Sequence, residues 1–185
     1  KVYSFHLNVS KYRPIEYYKK GRGKLFPDGG TLFTEFSTHI DLLLWLFGRV
    51  TEVKGIGKNI NHKGVIDYED CGTAALLMDN NILGGINWSV NATNNKDQVS
   101  LTIIAEKETV TFVGSDLHSM QLSSNNEYTY ASESDTINTY DSLYEQFLKA
   151  LAGDGTFTTA FDGLHTVETI EKIYESLGLP SYHSV

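Results

Sequence analysis

A glutamate and a histidine four residues apart can move protons together, and residues 28–48, DGGTLFTEFSTHIDLLLWLFG, contain such a pair at Glu35 and His39. On a helix that spacing is about one turn, so both side chains share a face. A carboxylate beside an imidazole orients the ring and tunes it for proton exchange near neutral pH. Thr34 and Thr38 form the neighbouring pair at the same spacing. A structural reading competes: Thr, Ser and Glu at a helix start often cap it, and a negative group there favours the dipole. From Leu42 to Phe47 the run is wholly apolar before Gly48. Polar, titratable groups thus open a helix whose remainder is fit for burial.

Little else in the chain offers chemistry. There is no G-x-S-x-G turn, and His6, His39, His62, His118, His165 and His183 are scattered without metal-ligand spacing. The only cysteine, Cys71, reads as a small buried hydrophobe and fits a reducing, cytoplasmic setting. GIGKNI (55–60) lacks the third glycine and the following helix of a dinucleotide fingerprint. A net charge of −8 argues against nucleic acid as a partner. No apolar run approaches the ~20 residues of a membrane span. The basic stretch KKGRGK (19–24) reads either as a solvated turn or as an anion site.

The elements that must position the polar helix start follow from periodicity. Residues 2–9 alternate, with Tyr3, Phe5, Leu7 and Val9 against Ser4, His6 and Asn8, which predicts a half-buried strand. Pro14 opens a short helix through Tyr17 and Tyr18. A long core helix is expected over 31–47, with Gly48 as its stop. Strands follow at 50–60, 72–79, 82–90, 99–106 and 108–114, with a short one near Met120–Leu122 and a loop at 123–140. Two helices close the chain. The first recurs at Leu143, Phe147 and Leu151. The second is N-capped by Asp162 and lined by Leu164, Val167, Ile170, Ile173 and Leu177 before Gly178 and Pro180. Strands in a run followed by helices signal an α+β fold, here one domain over 1–185, begun without a lead-in as if cut at a domain boundary.

These residues resemble a known family. Gly29, Gly30, Leu32, Asp41, Leu46 and Gly48 match, without a gap, the pattern G-G-x-L-x-D-x-G-x-H-x-x-D and following apolar helix of the glucose–fructose oxidoreductase / inositol dehydrogenase / MocA-type oxidoreductases. YEDCGTAALLMDNNILGGINWSV resembles that family's central hairpin, LTIIAEKETVTF its next strand pair, and LYEQFLKALAG with DGLHTVETIEKIYESL its closing helices. RPIEYY ahead of GGTLFTEFS is most similar to the branch acting on nucleotide-linked amino sugars and their uronates.

The resemblance implies a large open, predominantly antiparallel sheet with helices on one face, like the C-terminal domain of glyceraldehyde-3-phosphate dehydrogenase. It implies the substrate-binding half of an NAD- or NADP-dependent sugar oxidoreductase. The cofactor and the catalytic lysine would belong to an N-terminal Rossmann domain that this chain lacks, leaving the chain alone inactive. Partners implied are a small sugar, that Rossmann domain, and further copies of the chain through the open sheet face.

In the gapless register the family's Asp, Gly and His fall on Thr34, Phe36 and Thr38. A slip of one residue, about 100° of helix, would instead give the roles to Glu35 and His39. The expected catalytic set is therefore His39, Glu35 and Thr38, with Glu35 holding the His39 ring. His6, Asn8, Arg13, Tyr17 and Thr34 form the expected substrate set, Arg13 gripping a carboxylate in bidentate fashion. No metal is expected. The alternative is a binding or scaffold module that kept the fold and lost the chemistry.

Overall fold

The computed structural model describes residues 1–19, 21–93, 97–114, 117, 119–124, 127–132, 139–153 and 159–179. His118, His183, Pro180 and parts of the expected 123–140 loop lie outside them. Among the described residues no helix is long and apolar enough to cross a membrane.

Eight strands form one sheet. They are β1 (Val2–Ser10), β2 (Val50–Lys58), β3 (Cys71–Met78), β4 (Leu83–Ser89), β5 (Gln98–Ala105), β6 (Thr109–Val113), β7 (Ser119–Ser124) and β8 (Glu127–Ser132), in the order β2-β3-β4-β1-β5-β6-β7-β8. All neighbours pair antiparallel except β1 and β4. The first strand therefore lies inside the sheet, and its far end delivers residues 11–13 beside the helix layer. Asn81 takes the positive φ (65°) that the β3–β4 turn needs.

β8 corrects the expected loop. EYTYAS is flanked by so many Ser, Asn and Asp residues that the alternation of its two tyrosines is hidden, and pairing with β7 decides the outcome.

Register assigns the faces. Phe5, Leu7 and Val9 of β1, Ala74, Leu76 and Met78 of β3, Ile86 and Trp88 of β4, and Val99 and Leu101 of β5 are all buried beneath the helices. The other face carries His6, Asn8, Asn87, Ser100, Thr102 and Thr111, with Leu83 exposed among them. That face is mostly polar, with Leu83 an exposed apolar exception on β4.

The helix layer is α3 (Ser37–Phe47) and α5 (Ala160–Ser176), which pack on the same face and on each other. α3 buries Ile40, Leu43 and Phe47, whereas Trp45 is 81% exposed. A helix lying on a sheet buries one stripe, so the all-apolar run does not make α3 a core helix on every side. Asp41 accepts a hydrogen bond from Thr166 Oγ1 at 2.7 Å, fastening α3 to α5.

On α5 the buried stripe runs through Thr166, Thr169, Ile170, Ile173 and Tyr174, leaving Leu164 and Val167 exposed. Three-residue spacing lags the helical repeat, so a stripe read at 164, 167 and 170 rotates out of the core. Thr159 caps this helix and Asp162 is its N3 partner, a reciprocal capping box in which Asp162 is not the cap itself. The short helices α1 (Ile15–Tyr18) and α2 (Leu25–Asp28) precede α3, and α4 (Thr139–Leu151) exposes Phe147 and Leu151.

Candidate active-site cluster

The expected continuous helix over 31–47 is broken. Residues Leu32–Phe36 form a π-turn, and Phe36 (φ −129°, ψ 1°) separates it from α3. An i→i+5 turn carries an extra residue, a device often found where side chains must be re-aimed. Here it uncouples Glu35 from His39: the two side chains share no hydrogen bond.

Glu35 turns instead toward the end of β1 and the short helix α1 (Ile15–Tyr18). Its Oε2 accepts from Arg13 Nε at 2.9 Å and Arg13 Nη2 at 2.6 Å, and its Oε1 accepts from Tyr17 Oη at 2.7 Å. Lys11 Nζ donates to the Glu35 carbonyl at 2.6 Å and lies 3.7 Å from Oε2. Burial works to raise the Glu35 carboxyl, but the Arg13 and Tyr17 hydrogen bonds and nearby cations outweigh it and hold it below the usual carboxylate range. The Arg13 guanidinium is thus paired with Glu35.

His39 is half-buried. Its Nδ1 lies 3.5 Å from Thr38 Oγ1, and its ring meets the Phe36 ring edge-on. Burial, and then the Lys11 charge, push its pKa down, so the neutral imidazole is favoured. That is the reverse of the upward shift expected from a neighbouring Glu35. A neutral imidazole is a proton acceptor. Thr34 and Thr38 are both exposed, and Thr34 Oγ1 donates back to the Gly30 carbonyl at 3.0 Å.

The structure therefore brings together Glu35, Arg13, Tyr17, Thr34, Thr38 and His39. His6 and Asn8 stand apart, on the opposite face of the sheet. There Asn8 Oδ1 accepts from Asn87 Nδ2 at 2.7 Å. Strand alternation explains the separation, because Phe5, Leu7 and Val9 occupy the helix side.

Several supporting residues had no sequence signal. His62 is buried, with Nδ1 3.1 Å from Asp70 Oδ2 and Nε2 2.8 Å from the Arg13 carbonyl, so it braces the backbone that carries Arg13. Burial opposes ionisation of Asp70, but backbone N–H groups of Ile60 and Asn61, then His62, hold its carboxyl at about 2. Tyr174 Oη accepts from Leu32 N at 2.8 Å and donates to Glu69 Oε1 at 3.1 Å, anchoring the π-turn to α5 and to the segment that leads into β3. Gly30 makes this possible: at φ 85°, a Cβ there would sit 2.4 Å from Tyr174 Oη. The one motif that could have pointed to this is the glycine pair itself.

The glycines of GIGKNI do not cradle the pyrophosphate of a dinucleotide. GIGKNI lies in and just after β2, and Cβ atoms at Gly55 and Gly57 would strike Ser176 and Leu177. Those glycines seat the end of α5 and open no phosphate cradle. Among the described residues no three His, Cys, Asp or Glu side chains are grouped to hold a metal. Cys71 is partly exposed rather than fully buried, and partial burial, then the nearby Asp70 carboxylate, raises its thiol.

The chain is thus an open, mainly antiparallel sheet with helices on one face, and a polar turn opens the inner helix beside a basic strand end. Residues 1–111 match the family model described as the GFO/IDH/MocA C-terminal domain, and the chain belongs to that family. Among solved structures it is similar to the WlbA dehydrogenase of Bordetella pertussis in complex with NADH and UDP-GlcNAcA, at 29% identity and TM-score 0.79, over 96% of this chain and 52% of that one. The Chromobacterium violaceum WlbA in complex with the same two ligands is 26% identical, with TM-score 0.78, over 96% and 52% of the respective chains. The UDP-N-acetylglucosamine 3-dehydrogenase GnnA of Acidithiobacillus ferrooxidans shares the fold at 13% identity and TM-score 0.75, over 95% and 53%. The chain thus spans about half the length of the structures it matches. A comparison with curated proteins finds no match.

Proposed function

We propose that residues 1–185 are a single substrate-binding domain of an NAD- or NADP-dependent dehydrogenase acting on a nucleotide-linked amino sugar or its uronate. The observation that carries this reading is the 29% identity to the Bordetella WlbA over 96% of the chain. The cofactor would supply hydride acceptance and would be held by an upstream Rossmann domain. This chain would bind and orient the sugar and manage its proton. In this reading the neutral His39 imidazole accepts the hydroxyl proton as the carbon is oxidised. Thr38, 3.5 Å from its ring, steadies the imidazole or the sugar. Glu35 and Arg13 hold the π-turn rigid, as precise positioning requires. The protein would assemble in the cytoplasm as a homo-oligomer through the open sheet face.

A non-catalytic module is the second reading, favoured by Thr38 standing where the family pattern has His. The deciding experiment is NAD(P) reduction by the full-length parent, supplied with UDP-N-acetylglucosaminuronate and followed spectrophotometrically. Turnover with this substrate, absent from the isolated 1–185 chain, is expected. No reduction of either nucleotide with any UDP-amino sugar would overturn the dehydrogenase reading.

A further inference from the structure

In a chain of net charge −8, residues 11–24 carry six cations (Lys11, Arg13, Lys19, Lys20, Arg22 and Lys24) and one acid, Glu16. Most of those described already have acidic partners. Lys11 and Arg13 serve Glu35, Lys19 lies 3.7 Å from Glu16, and Lys24 lies 3.7 Å from Asp67. Arg22 has no carboxylate partner among the described residues. Its guanidinium stands 4.7 Å from the centroid of the Tyr17 ring and donates from Nη1 to Tyr17 Oη.

The turn beneath Arg22 is pinned. Asp28 Oδ2 accepts from Gly23 N at 2.6 Å and Lys24 N at 3.0 Å, and Asp67 N donates to the Gly23 carbonyl at 3.0 Å. Tyr17 Oη in turn donates to Glu35, so hydrogen bonds run from Arg22 through Tyr17 to Glu35 and meet those from Arg13. Between Tyr17, Arg22, Asp28, Thr34 and Tyr68 lies a cavity of about 210 Å³, which shares Thr34 with the polar helix start.

We propose that Arg22, stacked on Tyr17 at the mouth of this cavity, anchors the phosphoryl part of the substrate while the sugar extends past Thr34 toward His39. The proposal deepens the dehydrogenase reading and rests on it. Stacking on a phenol ring and one hydrogen bond leave most of the guanidinium fork unused, and that fork matches phosphate oxygens in bidentate fashion. The pyrophosphate of a nucleotide-linked sugar carries two negative charges, one on each phosphoryl group, against one on a carboxylate, so a guanidinium without a carboxylate partner favours it.

The test is titration of the 1–185 chain with inorganic pyrophosphate and, separately, with glucuronate, by calorimetry at two salt concentrations. Pyrophosphate is expected to bind in a salt-sensitive way and glucuronate much more weakly. Arg22→Gln should weaken pyrophosphate by about 10-fold or more. Arg22→Lys should recover part of that loss, and Lys19→Gln should matter little. The side chains changed are exposed, and circular dichroism checks that each variant is folded. Absence of pyrophosphate binding, equal losses from Arg22→Gln and Lys19→Gln, or glucuronate binding as tight and as dependent on Arg22 would each overturn the assignment. None of these titrations depends on NAD(P) turnover, so the assignment can fail while the dehydrogenase reading stands, and the reverse.

Discussion

Glu35 and Glu69 are both buried carboxylates, 8% and 2% exposed, and both serve the same π-turn, yet they behave oppositely. Glu35 sits within the turn and meets the Arg13 fork, with Lys11 close by. Glu69 reaches the turn through Tyr174, and its donors, Tyr174 Oη and Trp88 Nε1, are neutral. Burial therefore raises the Glu69 carboxyl to about 7, whereas for Glu35 the same push is outweighed and the carboxyl is lowered. Depth does not decide ionisation here; the charge of the partner does. The outcome is an ionised glutamate organising a basic surface and, beneath it, one that titrates near neutral pH and joins turn, helix and sheet.

The change expected to break this arrangement most is Gly30→Ala. A Cβ would force a strained positive φ and drive Tyr174 Oη out of place, so both anchors of the π-turn would suffer. Urea denaturation should show a loss of about 4 kcal/mol, the sum of backbone strain and overpacking.

Glu69→Gln probes the neutral member. Because its folded pKa (about 7) lies above the ordinary 4.5, the native state keeps a proton that the unfolded chain releases. Its contribution is complete below pH 4.5 and is lost as pH rises to about 7, up to roughly 3 kcal/mol in all. In the variant that slope should vanish, making it the more stable protein at pH 8. An unchanged stability–pH profile would show that Glu69 is ionised after all.

Glu35→Gln probes the charged member. It should cost about 2 kcal/mol, since Arg13 loses a charged acceptor while staying mostly covered. Its effect should shrink once the pH falls below the usual carboxylate range, where the parent carboxylate protonates too.

Most of the sheet was legible because alternation and turn residues agree along β1 to β6. The faces of β1 and β3 follow directly from period two. The helix start was only half legible. Its polar residues were visible, but a one-residue π insertion depends on packing, with Tyr174 arriving from far along the chain to take the Leu32 N–H. The Glu35–His39 pairing failed for that reason. The hydrogen bonds that tie Arg13 and Tyr17 to Glu35, across 22 and 18 residues of sequence, carried no signal in the sequence. His62, Glu69 and Asp70 were invisible because their roles depend on burial, which a polar residue in a loop segment does not advertise.

The central claim is that the polar start of α3 handles the sugar's proton through His39. Steady-state turnover of the full-length parent with NAD(P) and UDP-N-acetylglucosaminuronate, compared with its His39→Ala and Thr38→Ala variants, tests it most directly. A fall in kcat of about 100-fold or more for His39→Ala, beside a small loss for Thr38→Ala, is the predicted result. A silent His39→Ala with a crippled Thr38→Ala would contradict it and return the site to the gapless register.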